Sequence, residues 1–309
     1  LPVDEYFTTM FRGLEQATAP GETDEAKDAL AQAYMREYIG EALAWDATGI
    51  TVEDTVIEGS HGPIPLRLYR PEGELAGSVL WCHGGGFKYG DLDMFEAHVV
   101  SIELARRAGV AVASVDYRLA NDTVKYPVPG DDVLVAWDWW CEQPLPEGAP
   151  IGLGGASAGA ALALTAALRT RDLGGRPADV LLLAYPFAHY PNPAVSPALS
   201  AEMAVLPFRF EAEGVEEMVR NYVGRISDIP PNALPGAARL DGLPPTRLVV
   251  SEYDDLRASA DLLERQLREV GVPVESYVAH GMTHGHLNHA PSLPEVSHSL
   301  DFFVKGLQV

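Results

Sequence analysis

Four short stretches of the chain carry residue types suited to nucleophilic chemistry. Gly155-Ala156-Ser157-Ala158-Gly159 follows an apolar run, Ile151-Gly-Leu153-Gly, and opens into the helix formers Ala160 to Leu168. At a strand-to-helix turn of this kind the serine backbone is strained and its hydroxyl exposed, because flanking glycines let strand and helix approach without Cβ clashes. His83-Gly84-Gly85-Gly86 comes directly after the apolar run Ser78–Cys82, and successive glycines let backbone N–H groups turn toward a ligand. Together with the Ala158 N–H at the start of its helix, those of Gly85 and Gly86 can hold the negative charge of a tetrahedral intermediate. Phosphate binding is the competing use of such a glycine run, but the Lys-Ser/Thr ending of a P-loop is absent.

A serine nucleophile needs a base and an acid to orient it, and after a strand-turn-helix serine these follow in the order acid, histidine. Two clusters stand in that order, each after an apolar run: Glu252-Tyr253-Asp254-Asp255, then His280-Gly-Met-Thr-His284-Gly-His286 with His289 beyond. Residue types leave the choice within each cluster open. Either aspartate also suits the cap of a helix beginning near Ala258. The histidines have spacings at which imidazoles can share a metal ion, although no companion carboxylate pattern accompanies them.

The elements that must position these groups alternate regularly. From residue 51 apolar residues recur every second position around a Gly59–Pro63 turn, which predicts an antiparallel hairpin. Apolar runs at 78–82, 110–115, 151–153, 180–184, 247–250 and 274–278 read as buried strands, with helical patterns at 93–107, 131–141, 158–169, 258–270 and 292–307. The prediction is one α/β domain with about eight mostly parallel strands and helices on both faces, which brings the serine turn and the two clusters to the C-terminal edge of one sheet.

Two regions fall outside this rhythm. Helical patterns at 4–16 and 23–43 precede the sheet, and the proline-rich interval between Tyr185 and Arg247 carries one amphipathic helix with Val215, Met218, Val219 and Tyr222 on one face. Both read as parts of a helical cap. The expected division is therefore 1–45 for N-terminal cap helices, 46–187 and 226–309 for the core, and 188–225 for a cap insertion. Phe7, Met10, Phe11, Tyr34 and Tyr38 from the first part, and Met203, Phe208, Phe210, Met218 and Tyr222 from the second, are candidate walls of a finite apolar pocket.

Over 309 residues, acidic side chains outnumber basic ones 44 to 22, a net charge of −22 that repels nucleic acid phosphates and anionic membranes. Neither is an expected partner. Two cysteines, Cys82 and Cys141, suggest neither a disulfide framework nor a Cys-based zinc site. With no leader-like start and no run of eighteen apolar residues, a cytoplasmic location is expected. A homodimer is compatible with the sequence.

His83-Gly-Gly-Gly86, Gly155-x-Ser157-x-Gly159, Tyr253-Asp254-x-Leu256-Arg257 and Gly281-Met-x-His284-Gly285 together resemble the bacterial hormone-sensitive-lipase-like esterases of the α/β-hydrolase superfamily. Asp116-Tyr117-Arg118-Leu119, Tyr126-Pro127 and Asp132 extend the likeness, which runs from about residue 75 to 290. The resemblance implies Ser157 as nucleophile, Asp254 as acid, His284 as base, and Gly85, Gly86 and Ala158 as oxyanion donors. It also implies an ester substrate and no cofactor. Departures flank the site: Ala156 replaces a frequent Asp or Thr, Ala160-Ala161 a frequent Gly-Asn, Asp255 the usual proline and His286 a common aromatic. The resulting expectation is a serine carboxylesterase for short- to medium-chain esters. A lactone or amide hydrolase using the same three residues is the alternative, as is, from another class, a ligand-binding receptor on this fold.

Overall fold

In a computed structural model of the chain, the described residues are 3–10, 36–207 and 209–308. Eight strands form one sheet in the order β1-β2-β4-β3-β5-β6-β7-β8. They are β1 Ile50–Gly59, β2 Gly62–Pro71, β3 Gly77–Cys82, β4 Val110–Val115, β5 Ile151–Ala156, β6 Val180–Ala184, β7 Thr246–Tyr253 and β8 Val274–Thr283. The β1–β2 hairpin is antiparallel, β2 also pairs antiparallel with β4, and every pairing from β4 to β8 is parallel.

Parallel strands covered on both sides must be apolar throughout, and β3, β4, β5 and β6 are buried at every position. One face is covered by α2 Val128–Cys141, α3 Ala158–Leu173 and α6 Arg257–Glu269. Across the sheet lie α1 Val100–Ala108 and α7 Pro294–Leu307, whose Ile102, Leu104, Leu300 and Phe303 meet Val79, Trp81 and Val112. Because α3 is central, its residues from Ala158 to Leu168 are all buried, and the many alanines let it lie close against the sheet.

Among the described residues between β6 and β7 the chain forms two α-helices, α4 Pro197–Met203 and α5 Ala212–Val223, where the sequence pattern predicts one. The short α4 buries only Met203, too little for a readable period, and is started instead by the Ser196 hydroxyl accepting from the Leu199 N–H. At the other end of the chain, residues 5–10 and 36–43 are helical. The rest of the helical patterns expected at 4–16 and 23–43 lies outside the described residues. Among the described residues, no helix is long and apolar enough to cross a membrane.

Candidate active site

Strand β5 ends at Ala156 and α3 begins at Ala158, so Ser157 makes the whole turn with φ 52° and ψ −117°. This left-handed backbone is unusual for a residue with a side chain. The Ser157 N–H holds it by donating to the Ala184 carbonyl at 2.9 Å. Gly155 and Gly159 are required by proximity, since a Cβ on either would collide with the Cys82 backbone at the end of β3. As the first residue of α3, Ala158 has an N–H with no acceptor inside its own helix.

The ends of β7 and β8 supply partners for this serine. Asp254, just past β7, is 2% exposed, and its Oδ1 accepts from the Leu256 N–H at 2.8 Å. Its Oδ2 lies 2.6 Å from His284 Nδ1, and His284 Nε2 lies 2.8 Å from Ser157 Oγ. With Nδ1 donating to the carboxylate, Nε2 is left to accept the serine proton. Burial lowers the proton affinity of His284, but the charge and hydrogen bond of Asp254, helped by Glu96 and Asp255, outweigh it and hold the imidazole above its usual pKa.

The other members of the two clusters are engaged elsewhere. Asp255 receives a bidentate pair from Arg209, Nε at 2.8 Å and Nη2 at 2.6 Å, and also the Phe210 N–H at 2.9 Å. His286 is buried between the Ser251 and Ser299 hydroxyls, each at 2.9 Å, and burial pushes its pKa down to about 3. His289 contacts the Tyr6 hydroxyl at 3.0 Å, while His280 lies beside Glu252, which accepts the Gly281 N–H. Among the described residues, no three His, Cys, Asp or Glu side chains are grouped to hold a metal.

The glycine loop after β3 turns sharply at Gly85, with φ 114°, and its carbonyl accepts from the Lys88 and Tyr89 N–H groups at 3.1 and 2.9 Å. Behind it the His83 ring stacks on Tyr117, whose hydroxyl donates to the His83 carbonyl at 2.8 Å. The neighbouring Arg118 is paired to the buried Asp132 at 2.6 Å. Gly85, Gly86, Ser157, Asp254 and His284 open onto one cavity of about 670 Å³.

Of the proposed apolar walls, Phe7, Met10, Phe210 and Met218 line this cavity. Tyr222 does not: it stacks on Phe87 with ring centroids 3.9 Å apart. Met203 is buried in a cluster with Val3, Leu206 and Met282, and the Tyr38 hydroxyl is turned to Asn288 at 2.6 Å. Phe11, Tyr34 and Phe208 lie outside the described residues. Sequence reasoning missed the Arg209–Asp255 clamp, whose partners are 46 positions apart with no periodic signal. It also missed Glu96, which is 1% exposed beneath the glycine loop and reads in sequence as an ordinary acidic residue near the start of a helix.

Residues 79–288 match the family described as the alpha/beta hydrolase fold. Esterase LipI of Mycobacterium tuberculosis is 34% identical over 270 residues, a match covering 84% of this chain and 82% of that protein. An ethyl acetate hydrolase of Pseudomonas putida is 30% identical over 258 residues, covering 79% of this chain and 78% of its own. Among solved structures, a hyperthermophilic esterase from the archaeon Pyrobaculum calidifontis superposes with a TM-score of 0.77 at 30% identity, covering 90% of this chain and 92% of that one. The chain belongs to the α/β-hydrolase family, on the hormone-sensitive-lipase-like branch that its motifs resemble.

Proposed function

We propose that the protein is a serine carboxylesterase in which Ser157, His284 and Asp254 form the catalytic triad. The observation that carries this reading is the unbroken relay from Ser157 Oγ to His284 Nε2 at 2.8 Å and from Nδ1 to Asp254 at 2.6 Å. Its esterase relatives support the substrate class. Ser157 Oγ attacks the ester carbonyl as Nε2 takes its proton, and N–H groups of Gly85, Gly86 and Ala158 receive the oxyanion. Collapse of the tetrahedral intermediate breaks the C–O bond to the alcohol, which leaves with the proton from Nε2. Water then enters, gives a proton to Nε2 and attacks the acyl-enzyme, and the second collapse returns that proton to Ser157 Oγ.

The base must be neutral to act, so activity falls as the pH drops through the His284 pKa. Because Asp254 holds that pKa up, the acid limb of kcat/KM for a neutral ester should lie above the ordinary histidine value of about 6.5. An acid limb centred below that value would contradict the arrangement.

Residues 1–45 and 188–225 act in this reading as a cap, supported by Phe7 and Met10 on one wall and Phe210 and Met218 on another. A bounded apolar pocket favours short to medium acyl chains: each methylene contributes about 0.8 kcal/mol until the wall is met, after which overpacking costs about 1–3 kcal/mol. Across a graded panel of dissolved esters, kcat/KM should rise and then fall. Met218 stands over the glycine loop, its sulfur in the space a Cβ on Gly86 would need, so Met218→Ala should move the optimum to longer chains. A steady rise into emulsified long-chain esters would mean a lipase and would overturn the short-chain reading. A cytoplasmic setting belongs to the same proposal, supported by the sparse cysteine usage.

A further inference from the structure

Glu96 takes no part in this proton path, yet its carboxylate is buried directly beneath the site. It sits in the π-helical turn Phe95–Val99 that precedes α1. Its Oε2 accepts from the Gly84 N–H at 2.6 Å. Its Oε1 accepts from the Tyr185 hydroxyl at 2.6 Å and from Asn288 Nδ2 at 3.1 Å. The three donors come from three separate stretches: the glycine loop, the residue after β6, and the turn that follows His284.

Each bond bears on an atom near the reaction. A Cβ on Gly84 would collide with the Glu96 carboxylate, which therefore fills the floor under the loop. Tyr185, in the left-handed region at φ 34°, presents its ring edge-on to His284 with centroids 5.0 Å apart, and its hydroxyl also accepts the Leu287 N–H at 3.3 Å. Asn288 Oδ1 accepts from the Tyr38 hydroxyl, which ties the N-terminal part into the same knot.

We propose that Glu96 is a positioning residue that fixes the oxyanion-binding loop relative to the loop carrying His284. The proposal rests on the esterase reading above. Glu96 links stretches separated by nearly two hundred residues through one rigid group, and a displacement of about 1 Å between reacting groups is enough to cost about 100-fold in rate. Burial pushes the carboxyl pKa up against the opposing Tyr185 and Gly84 hydrogen bonds, but all three neighbours donate to its oxygens, an arrangement that suits the acceptor-only carboxylate. A glutamine cannot replace it, because one of its two ends is an NH2 that would face a donor already pointing at it.

The test compares wild type with Glu96→Gln and Glu96→Ala, with kcat expressed per site titrated by an organophosphonate so that unfolded protein does not count. Both variants should lose about 100-fold in kcat with KM changed less than about threefold. The acid limb of kcat/KM should also move to lower pH. His284 faces Asp254 and Asp255 from the end of β7, Glu96 from the π turn, Tyr185 from the end of β6 and His286 from its own turn. Arg209 is neutralised by Asp255, so loss of the Glu96 charge leaves less to stabilise the imidazolium. A purely structural role would lower the folded fraction without moving the limb. If the Glu96 variants fail to fold, the double variant Tyr185→Phe, Asn288→Ala severs the same link from its other side, and about a tenfold loss in kcat is expected. A kcat per titrated site within about threefold of wild type, in whichever variants fold, overturns the proposal. Failure of wild type itself to hydrolyse esters or to be labelled would instead overturn the esterase reading.

Discussion

Ser157→Ala should lower kcat by about 10⁴- to 10⁶-fold and abolish labelling by an organophosphonate, since the members of a triad act as a unit. Alanine keeps the Cβ and the left-handed backbone that the turn already accommodates, and the only atom lost is the Oγ lying 2.8 Å from His284 Nε2. The variant should therefore fold and bind substrate, and the loss should fall on kcat rather than KM. What survives is the fraction of catalysis that the oxyanion donors and binding provide without a nucleophile. Turnover within tenfold of wild type, or label appearing on another residue, would remove Ser157 from the mechanism.

A similarly large effect should separate two adjacent carboxylates. Asp254→Asn should cost about 10⁴-fold in kcat. The asparagine oxygen would stay on the Leu256 N–H, where Asp254 Oδ1 now accepts at 2.8 Å. Its NH2 would then face His284 Nδ1 and force the imidazole into the tautomer that carries the proton on Nε2, toward the serine, where it cannot act as a base. His284→Ala should abolish turnover for the simpler reason that no base remains. Asp255→Asn should leave most of kcat, because its oxygens serve Arg209 and the Phe210 N–H and not the imidazole. Its effect should appear in KM, since the clamp holds the segment that carries Phe210 against the cavity. Kinetics showing a greater loss at Asp255 than at Asp254 would refute the assignment.

The parts of the site that were legible in sequence are those fixed by neighbouring residues. The turn at Ser157 is written in five consecutive positions, and the glycine loop in four, because both depend on short-range steric demands. Six of the strands were readable for a similar reason, as continuous apolar runs between polar turns, and β1 and β2 as alternating apolar and polar positions. Choosing Asp254 over Asp255 and His284 over His286 needed either a family resemblance or coordinates, since each pair offers the same chemistry and differs only in the direction its side chain points. Arg209, Glu96 and Tyr185 left no trace: each makes its contacts with residues from other stretches of the chain, and one polar residue in a helix or loop reads as solvated. Tyr222 and Met203 show the opposite failure. An apolar face says that a side chain will be buried, and does not say whether its neighbour is a substrate or another side chain.

The contacts between residues 4–10 and the stretch around His284 set an order in time. Phe7 and Met10 line the cavity, the Asp4 N–H donates to the Gly281 carbonyl at 3.0 Å, and the Tyr6 hydroxyl meets His289. A ribosome makes residues 4–10 long before it reaches residues 281–289. While the nascent chain is growing, the serine turn can be in place before its proposed base is made and before the wall carrying Phe7 and Met10 has the stretch around His284 to dock on. In the proposed mechanism hydrolytic competence thus waits for residue 284, and a chain cut between residues 157 and 284 would carry the proposed nucleophile without its base.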